Sequence, residues 1–366
     1  MPTLMQAAIV EHKGGPFQVR TVHVPTPQPD EVLVRIVATG VCQTDAHMRN
    51  QDYPIPLPMI LGHEGAGVVE YVGSAVTSVA AGDHVALTVP SCGRCDACWT
   101  GAPVNCAQFI PLAFSGSRLD GSNAYAGAGV HGHFFGQSSF AQFALAHERN
   151  TVRIAKDMPL ELAGPLGCGL QTGAGAVLNS LRVNAGESLA VFGTGAVGLA
   201  AVMAANIVGA GTVVAVDVSA PQLAMATELG ATDTVNAATA DPAEHLRKIR
   251  PSGFDYVLET TARPEMLSLA VELITPRGVA ALVGAPPVGT DASIDMTSLL
   301  AGRTLRGIMQ GDSVPHVFIP KLVELYQSGR FPIDRLIRSY ELADVNQAFA
   351  DAANGKVVKP VLMMGD

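Results

Sequence analysis

Two groups of cysteines carry the first chemical signal in this 366-residue chain, and between them they use all six. Cys92, Cys95, Cys98 and Cys106 form C-x2-C-x2-C-x7-C, while Cys42 and Cys168 stand apart with the His63-Glu64 pair between them. A closed set of four soft ligands reads as a structural zinc, whereas three ligands drawn from distant segments leave a fourth position for water or substrate. The chain is therefore expected to carry two zinc ions, one holding a lobe together and one doing chemistry. Lone cysteines are ordinarily buried core residues, and clustered ones can pair as disulfides in secreted proteins. The N-terminal stretch alternates like a strand and lacks the apolar core of an export signal, so a reduced, cytoplasmic compartment is expected.

A second signal lies in the uncharged stretch from Ser188 to Val216. The run 188–192 reads as a buried strand, Gly193-Thr194-Gly195-Ala196-Val197-Gly198 follows it, and an Ala-rich helix is expected over 199–208. A further strand over 212–216 ends at Asp217, nineteen positions after Gly198. Strand, G-x-G-x-x-G turn, helix, strand and terminal acid make the dinucleotide-binding fingerprint. Gly193, Gly195 and Gly198 permit the tight turn and close approach to a pyrophosphate at the helix N-terminus. The Asp217 carboxylate would accept hydrogen bonds from ribose hydroxyls and repel a 2'-phosphate, which favours NAD over NADP. The same glycines break the stretch into short elements, so no transmembrane span is expected despite its lack of charge.

The elements that must position these residues differ in texture along the chain. Strand-like runs at 232–235, 254–259, 279–283 and 304–308 alternate with helical runs at 221–229 and 264–274, the pattern of a parallel sheet covered on both faces. From residue 6 to 84 short strands punctuated by Pro and Gly, as in 54–58, predict an irregular β-rich domain. A helix over 320–327 and a last strand near 357–363 are expected to return to that first domain. An α/β protein of two domains follows, and 48% hydrophobic against 15% charged residues is enough to bury both cores. The net charge of −9 and the single Arg94 between Cys92 and Cys106 argue against a nucleic-acid partner.

Gly62-His63-Glu64-Gly65-Ala66-Gly67-Val68, the four-cysteine segment, Gly167-Cys168-Gly169 and the 193–198 turn occur in the order seen in zinc-dependent medium-chain alcohol dehydrogenases. The chain resembles that family over essentially its whole length. The segment 165–177 looks most like bacterial aryl-alcohol (benzyl-alcohol) and geraniol dehydrogenases. The resemblance implies a GroES-like catalytic domain over 1–169 and 313–366 with a structural-zinc lobe at 91–107. It also implies a Rossmann NAD-binding domain over 170–312 and an active site in the cleft between the two.

By the same resemblance Cys42, His63 and Cys168 hold the catalytic zinc, Glu64 stands beside it, and Asp45 orients His63 through its other ring nitrogen. Read alone, Asp45 would be a helix cap. Thr44 and His47 match a relay that carries the alcohol's proton outward. Thr172, Val197 and Val283 match residues around the nicotinamide, and Lys359 falls where many relatives place an arginine near the pyrophosphate. Tyr53, Thr88, Phe134 and Phe135 are expected to line the substrate pocket, with Ile110 and Leu112 nearby; the plainer reading of the two phenylalanines is ordinary core.

An apolar pocket of that kind fits a bulky primary alcohol such as benzyl alcohol or geraniol, oxidised reversibly to its aldehyde. A glutathione-dependent formaldehyde dehydrogenase would need charge where Ile110 and Tyr53 stand. A polyol dehydrogenase usually replaces the third zinc ligand by Glu, and Cys168 is present. A zinc-free quinone reductase would lack Cys42 and the lobe cysteines, and a non-catalytic zinc protein would not need Thr44 and His47. The resemblance further implies a homodimer or homotetramer joined near 304–308, where an exposed sheet edge would otherwise be a pairing liability.

Overall fold

A computed structural model describes residues 3–24, 26–123, 125 and 129–365. It divides into two compact units, one of Met1–Cys168, Ser313–Gln327 and Ile333–Asp366, the other of Gly169–Asp312 and Ser328–Pro332.

The first unit is β-rich. Its larger sheet has seven strands, built around Glu31–Gly40, which pairs antiparallel with Gly65–Val72, Phe143–His147 and Lys359–Met363. Strands His84–Leu87, Thr151–Arg153 and Ile337–Glu341 complete it. A three-stranded antiparallel sheet joins Phe17–Val24, Thr3–Val10 and Met59–Ile60. Alternation along Glu31–Gly40 sends Val32, Val34 and Ile36 into a core shared with Leu61, Val69, Phe140 and Phe349. Register matters for the chemistry: Thr39 pairs with Gly65, so the chain leaving one strand toward Cys42 and the chain entering the next from His63 and Glu64 meet at one end of the sheet.

Three glycines make that meeting possible. A Cβ on Gly40 would lie 1.9 Å from Glu64 Oε2, one on Gly164 would lie 2.2 Å from the Glu64 carbonyl, and one on Gly167 would lie 1.9 Å from the Leu87 carbonyl. Any side chain at these points would push Glu64 or Cys168 away from Cys42.

The second unit is a six-stranded, all-parallel sheet in the order Asp233–Asn236, Thr212–Asp217, Ser188–Phe192, Phe254–Glu259, Ile274–Leu282, Thr304–Gly307. Helices Ala196–Val208, Ala220–Glu228, Pro242–Ile249 and Pro264–Leu273 connect successive strands. This is the doubly wound order, whose ligands bind outside the carboxyl ends of the strands where the winding reverses. Strand interiors such as Leu189, Ala190, Val191 and Val214 are fully buried, as strands covered on both faces require.

Three elements differ from the sequence expectation. The helix expected to open at Pro320 runs Pro315–Gln327, with Pro320 inside it; Phe318, Ile319, Leu322 and Val323 are buried along one face, and that packing outweighs the lost backbone bond. The helix expected over 264–274 stops at Leu273, and the strand expected from 279 already begins at Ile274. Among the described residues, no helix is long and apolar enough to cross a membrane.

Candidate metal centre and nucleotide site

In the first unit, ligand atoms of Cys42, His63, Glu64 and Cys168 all lie within 4.8 Å of one another. Cys42 caps the short helix Gln43–Arg49, and Cys168 follows the 3-10 turn Gly164–Gly167. Two thiols packed this closely share a proton: the hydrogen bond from Cys168 holds Cys42 well below the usual thiol range against the effect of burial. The same bond, with burial, pushes Cys168 well above it.

Asp45 organises the centre. It is wholly buried; Oδ2 accepts from the Cys42 amide at 3.1 Å, and Oδ1 lies 3.0 Å from His63 Nδ1 and accepts from the Gly62 amide at 3.1 Å. One carboxylate thus contacts both the helix start and the His63 ring, because it has lone pairs for both. With Nδ1 donating to Asp45, Nε2 of the neutral ring carries the lone pair, and this buried atom has no hydrogen-bond partner. Burial lowers the His63 pKa, but Asp45 and Cys42 together raise it well above the ordinary histidine value, so protons compete with a metal for the ring.

Two neighbours of the centre, expected from the sequence to line the substrate pocket, pack directly against the His63 ring. Phe135 stacks on the His63 ring at 4.5 Å between centroids and an interplanar angle of 25°. Phe134 meets the same ring edge-on at 5.6 Å. Both phenylalanines are buried and pack with Phe114, and Phe135 also with Phe109, in the core around the histidine. Lys359, expected beside a pyrophosphate, is buried with Nζ 3.0 Å from both Glu64 oxygens and 3.1 Å from the Val41 carbonyl. Burial lowers its pKa, yet Glu64 and the two sulfurs raise it beyond the ordinary lysine value. Burial in turn raises Glu64 to about 7, with Lys359 opposing.

Thr44 Oγ1 lies 3.7 Å from Cys42 Sγ. His47 Nδ1 lies 2.7 Å from Asp52 Oδ2, a partner the sequence reading missed although it stands only five residues away. Tyr53 is partly buried with its ring 6.3 Å from that of His47. Thr88 is wholly buried, and its hydroxyl donates to the Gly167 carbonyl at 2.8 Å, which ties down the turn before Cys168. Ile110 is 62% exposed.

The second cluster, Cys92, Cys95, Cys98 and Cys106, is equally tight, with Cys95 Sγ 3.6 Å from Cys98 Sγ and 3.9 Å from Cys106 Sγ. Backbone amides of Cys92, Arg94, Ala107 and Gln108 donate to its sulfurs. Those of Ala107 and Cys98 help bring Cys95 down to about 6, whereas burial pushes Cys106 up to about 12. None of the six cysteines is in a disulfide.

In the second unit the expected nucleotide residues gather at the carboxyl ends of the parallel strands. Gly193 has φ +90° directly after its strand, and a Cβ on Gly198 would lie 1.9 Å from the Gly193 carbonyl, so strand and helix approach as only glycine allows. Gly195 precedes the helix Ala196–Val208, whose first turn is half-exposed at Ala196 and Val197. Asp217 ends the neighbouring strand. Val283 follows the strand Ile274–Leu282, and Thr172 is buried with its hydroxyl 3.3 Å from Gln310 Oε1.

A β-rich unit with a centre of two cysteines and one histidine and a separate four-cysteine lobe, in one chain with a doubly wound parallel sheet, defines a zinc-type dehydrogenase. Residues 28–156 match the alcohol dehydrogenase GroES-like domain and residues 196–328 the zinc-binding dehydrogenase family. The chain is 43% identical to a geraniol dehydrogenase of Castellaniella defragrans over 98% of its own length and 97% of that protein's. The crystal structure of benzyl alcohol dehydrogenase from Acinetobacter calcoaceticus superposes with a TM-score of 0.97 at 44% identity, covering 99% of this chain and all of the other. An alcohol dehydrogenase zinc-binding domain protein from Burkholderia ambifaria gives the same TM-score at 50% identity over the full length of both chains. The chain belongs to the zinc-dependent medium-chain alcohol dehydrogenases. Its fold is theirs, a GroES-like domain with a Rossmann-type sheet, and it is an enzyme of the alcohol dehydrogenase class.

Proposed function

We propose that the protein oxidises a bulky, apolar primary alcohol of benzyl or allylic type to its aldehyde, reversibly, with NAD+ as hydride acceptor and two zinc ions per subunit. The observation that carries the metal part is the buried, unpartnered Nε2 of His63 beside the Cys42 and Cys168 sulfurs. Such an atom costs free energy unless a donor or a cation takes its lone pair, and the two adjacent sulfurs favour a cation. The donor set, two soft sulfurs and an imidazole, suits zinc. The substrate class rests on similarity along nearly the whole chain to a geraniol and a benzyl alcohol dehydrogenase.

When bound, zinc supplies Lewis acidity that makes an alcohol hydroxyl acidic near neutral pH, and NAD+ accepts the hydride. The chain's residues do the rest. Cys42, His63 and Cys168 hold the ion; Asp45 keeps Nδ1 of His63 protonated so that Nε2 is the ligand atom. Thr44, against Cys42, passes on the alcohol's proton, and His47 receives it at Nε2 because Asp52 holds a proton at Nδ1. Gly193, Gly195 and Gly198 leave room for a pyrophosphate, Asp217 takes the adenosine ribose, and Thr172, Val197 and Val283 surround the nicotinamide. Cys92, Cys95, Cys98 and Cys106 hold the second, structural ion.

In this reading the first unit carries the metal chemistry and the second the dinucleotide. The strand Thr304–Gly307 is exposed along its length and forms one edge of the parallel sheet. Pairing of two such edges would make the homodimer, alone or within a tetramer. Six cysteines outside any disulfide fit a reducing cytoplasm.

Initial rates of NADH formation with benzyl alcohol, geraniol, ethanol and sorbitol, each with and without a zinc chelator, test the reading. Chelator-sensitive turnover fastest on the first two is expected. Turnover confined to ethanol or sorbitol would overturn the substrate class, and chelator-insensitive turnover the metal.

A further inference from the structure

The middle residue of the first G-x-G, Thr194, is neither glycine nor solvent-facing. It is wholly buried, and both of its donors are aimed at one atom: its backbone amide lies 2.6 Å and its hydroxyl 2.8 Å from Asp217 Oδ2. The other carboxylate oxygen, Oδ1, accepts from the Ser219 amide at 2.9 Å. Three donors from two chain segments therefore fix a carboxylate that terminates a strand. Because the Thr194 amide is spent on Asp217, it is not a phosphate donor. The phosphate-facing amides of this turn are those that follow Gly195, at the helix start.

We infer that Thr194 is the positioning residue that sets the choice between NAD and NADP. The inference rests on the reading of this turn as the dinucleotide site. An unrestrained Asp side chain samples several rotamers, and only one presents its oxygens to the ribose hydroxyls. A carboxylate free to rotate would bond the 2'-hydroxyl less well and would also swing away from a 2'-phosphate. Rigidity thus raises affinity for the plain ribose and sharpens repulsion of the phosphorylated one. The residues after Asp217, from Val218 to Gln222, contain no lysine or arginine to attract a 2'-phosphate, so discrimination falls on the carboxylate and its clamp. Gln222 Oε1 lies 3.5 Å from the Thr194 hydroxyl and offers it a competing acceptor, which the shorter contact to Asp217 outbids.

The clamp makes predictions that simple packing does not. Thr194→Val keeps shape and amide and removes only the hydroxyl; Thr194→Ser restores the hydroxyl and removes a methyl. Binding of NADH and NADPH is measured by fluorescence titration in the absence of alcohol, on the zinc-loaded wild type, both variants, Asp217→Asn, and Asp217→Asn combined with Thr194→Val. Loss of one hydrogen bond to a charged group should lower the NADPH/NADH ratio of dissociation constants by about tenfold in Thr194→Val. Thr194→Ser should keep the wild-type ratio, and Thr194→Val should change nothing further once Asp217 is Asn. A purely structural role would weaken both nucleotides equally and leave the ratio alone, which would overturn the inference. So would an equal shift in the Asp217→Asn background. A wild type that binds neither nucleotide would instead remove the cofactor reading on which the inference stands.

Discussion

Lys359 and Glu64 are paired in full burial, with Nζ 3.0 Å from each carboxylate oxygen and a third bond to the Val41 carbonyl. The pair joins the last strand of the chain to the His63-Glu64 segment and places one positive charge beside a centre rich in negative ligands. Removing one member of a buried ion pair leaves the other uncompensated. Lys359→Met should therefore destabilise the zinc-loaded enzyme by about 3–5 kcal/mol. Adding Glu64→Gln should recover much of that loss, because no buried charge is then left alone. Urea unfolding of the two variants measures both. A Lys359→Met protein of wild-type stability would mean that the pair contributes nothing.

In the proposed function Asp45 acts on the metal through His63. In Asp45→Asn the group facing Nδ1 is no longer anionic, and the amide can turn its donor toward the ring. Zinc affinity at the three-ligand centre should fall about 10–100-fold. The lobe cysteines make no contact with Asp45 and should keep their ion. Competition with a chromogenic chelator would then release one zinc per subunit early and the second late. Simultaneous release of both would contradict two independent centres.

How much of this was legible in sequence depends on how local each signal is. The 193–198 turn and the four lobe cysteines lie in short segments, so spacing alone describes their geometry. The strand Ser188–Phe192 appears where its uncharged run places it, because a strand covered on both faces must be apolar throughout. Lys359 was visible as a residue but not as the partner of Glu64, since 295 positions separate them and only the sheet register brings them together. Phe134 and Phe135 were expected on the pocket wall, with ordinary core as the plainer reading; periodicity carries no sign of what lies across a gap, and the stack on His63 shows itself only in three dimensions. The Thr194 clamp was hidden for a different reason, because the x of G-x-G is conventionally unconstrained. Pro320 misled by a local rule that buried neighbours overrode.

His133 gives the stability a pH dependence. It is buried, its Nε2 has no partner, and burial lowers its pKa to about 4 from the ordinary 6.5, with Glu31 opposing and Arg118 adding to the effect. The unfolded chain takes up this proton near pH 6.5 and the folded protein only near 4. Between those values the unfolded state binds more protons, so stability rises with pH there. It is fully present above 6.5 and is lost progressively as pH falls toward 4. The shift corresponds to at most about 3 kcal/mol. His133 has φ +58°, a conformation that Asn tolerates. His133→Asn should thus fold and show a flatter dependence of unfolding free energy on pH between 4 and 6.5; an unchanged slope would assign the acid sensitivity to other groups.

Phe135 separates the two roles proposed for the aromatic residues. Its backbone has φ +50° and ψ +30°, sparsely populated for a bulky side chain, and the chain holds it there with the ring flat on His63. Phe135→Ala keeps the backbone strain and removes the ring, so nothing offsets the loss. A large-to-small change in a packed core should cost about 3–5 kcal/mol. With its face uncovered, the His63 ring gains freedom to tilt about the Asp45 bond, and zinc should be lost more readily to a chelator. If Phe135 instead forms the wall of the substrate pocket, the variant should stay stable and hold zinc while its kcat/KM ratio for geraniol over benzyl alcohol changes. Thermal unfolding, chelator release and the two-substrate ratio, measured on one preparation, distinguish these outcomes; the geometry around His63 predicts large changes in the first two and a small change in the third.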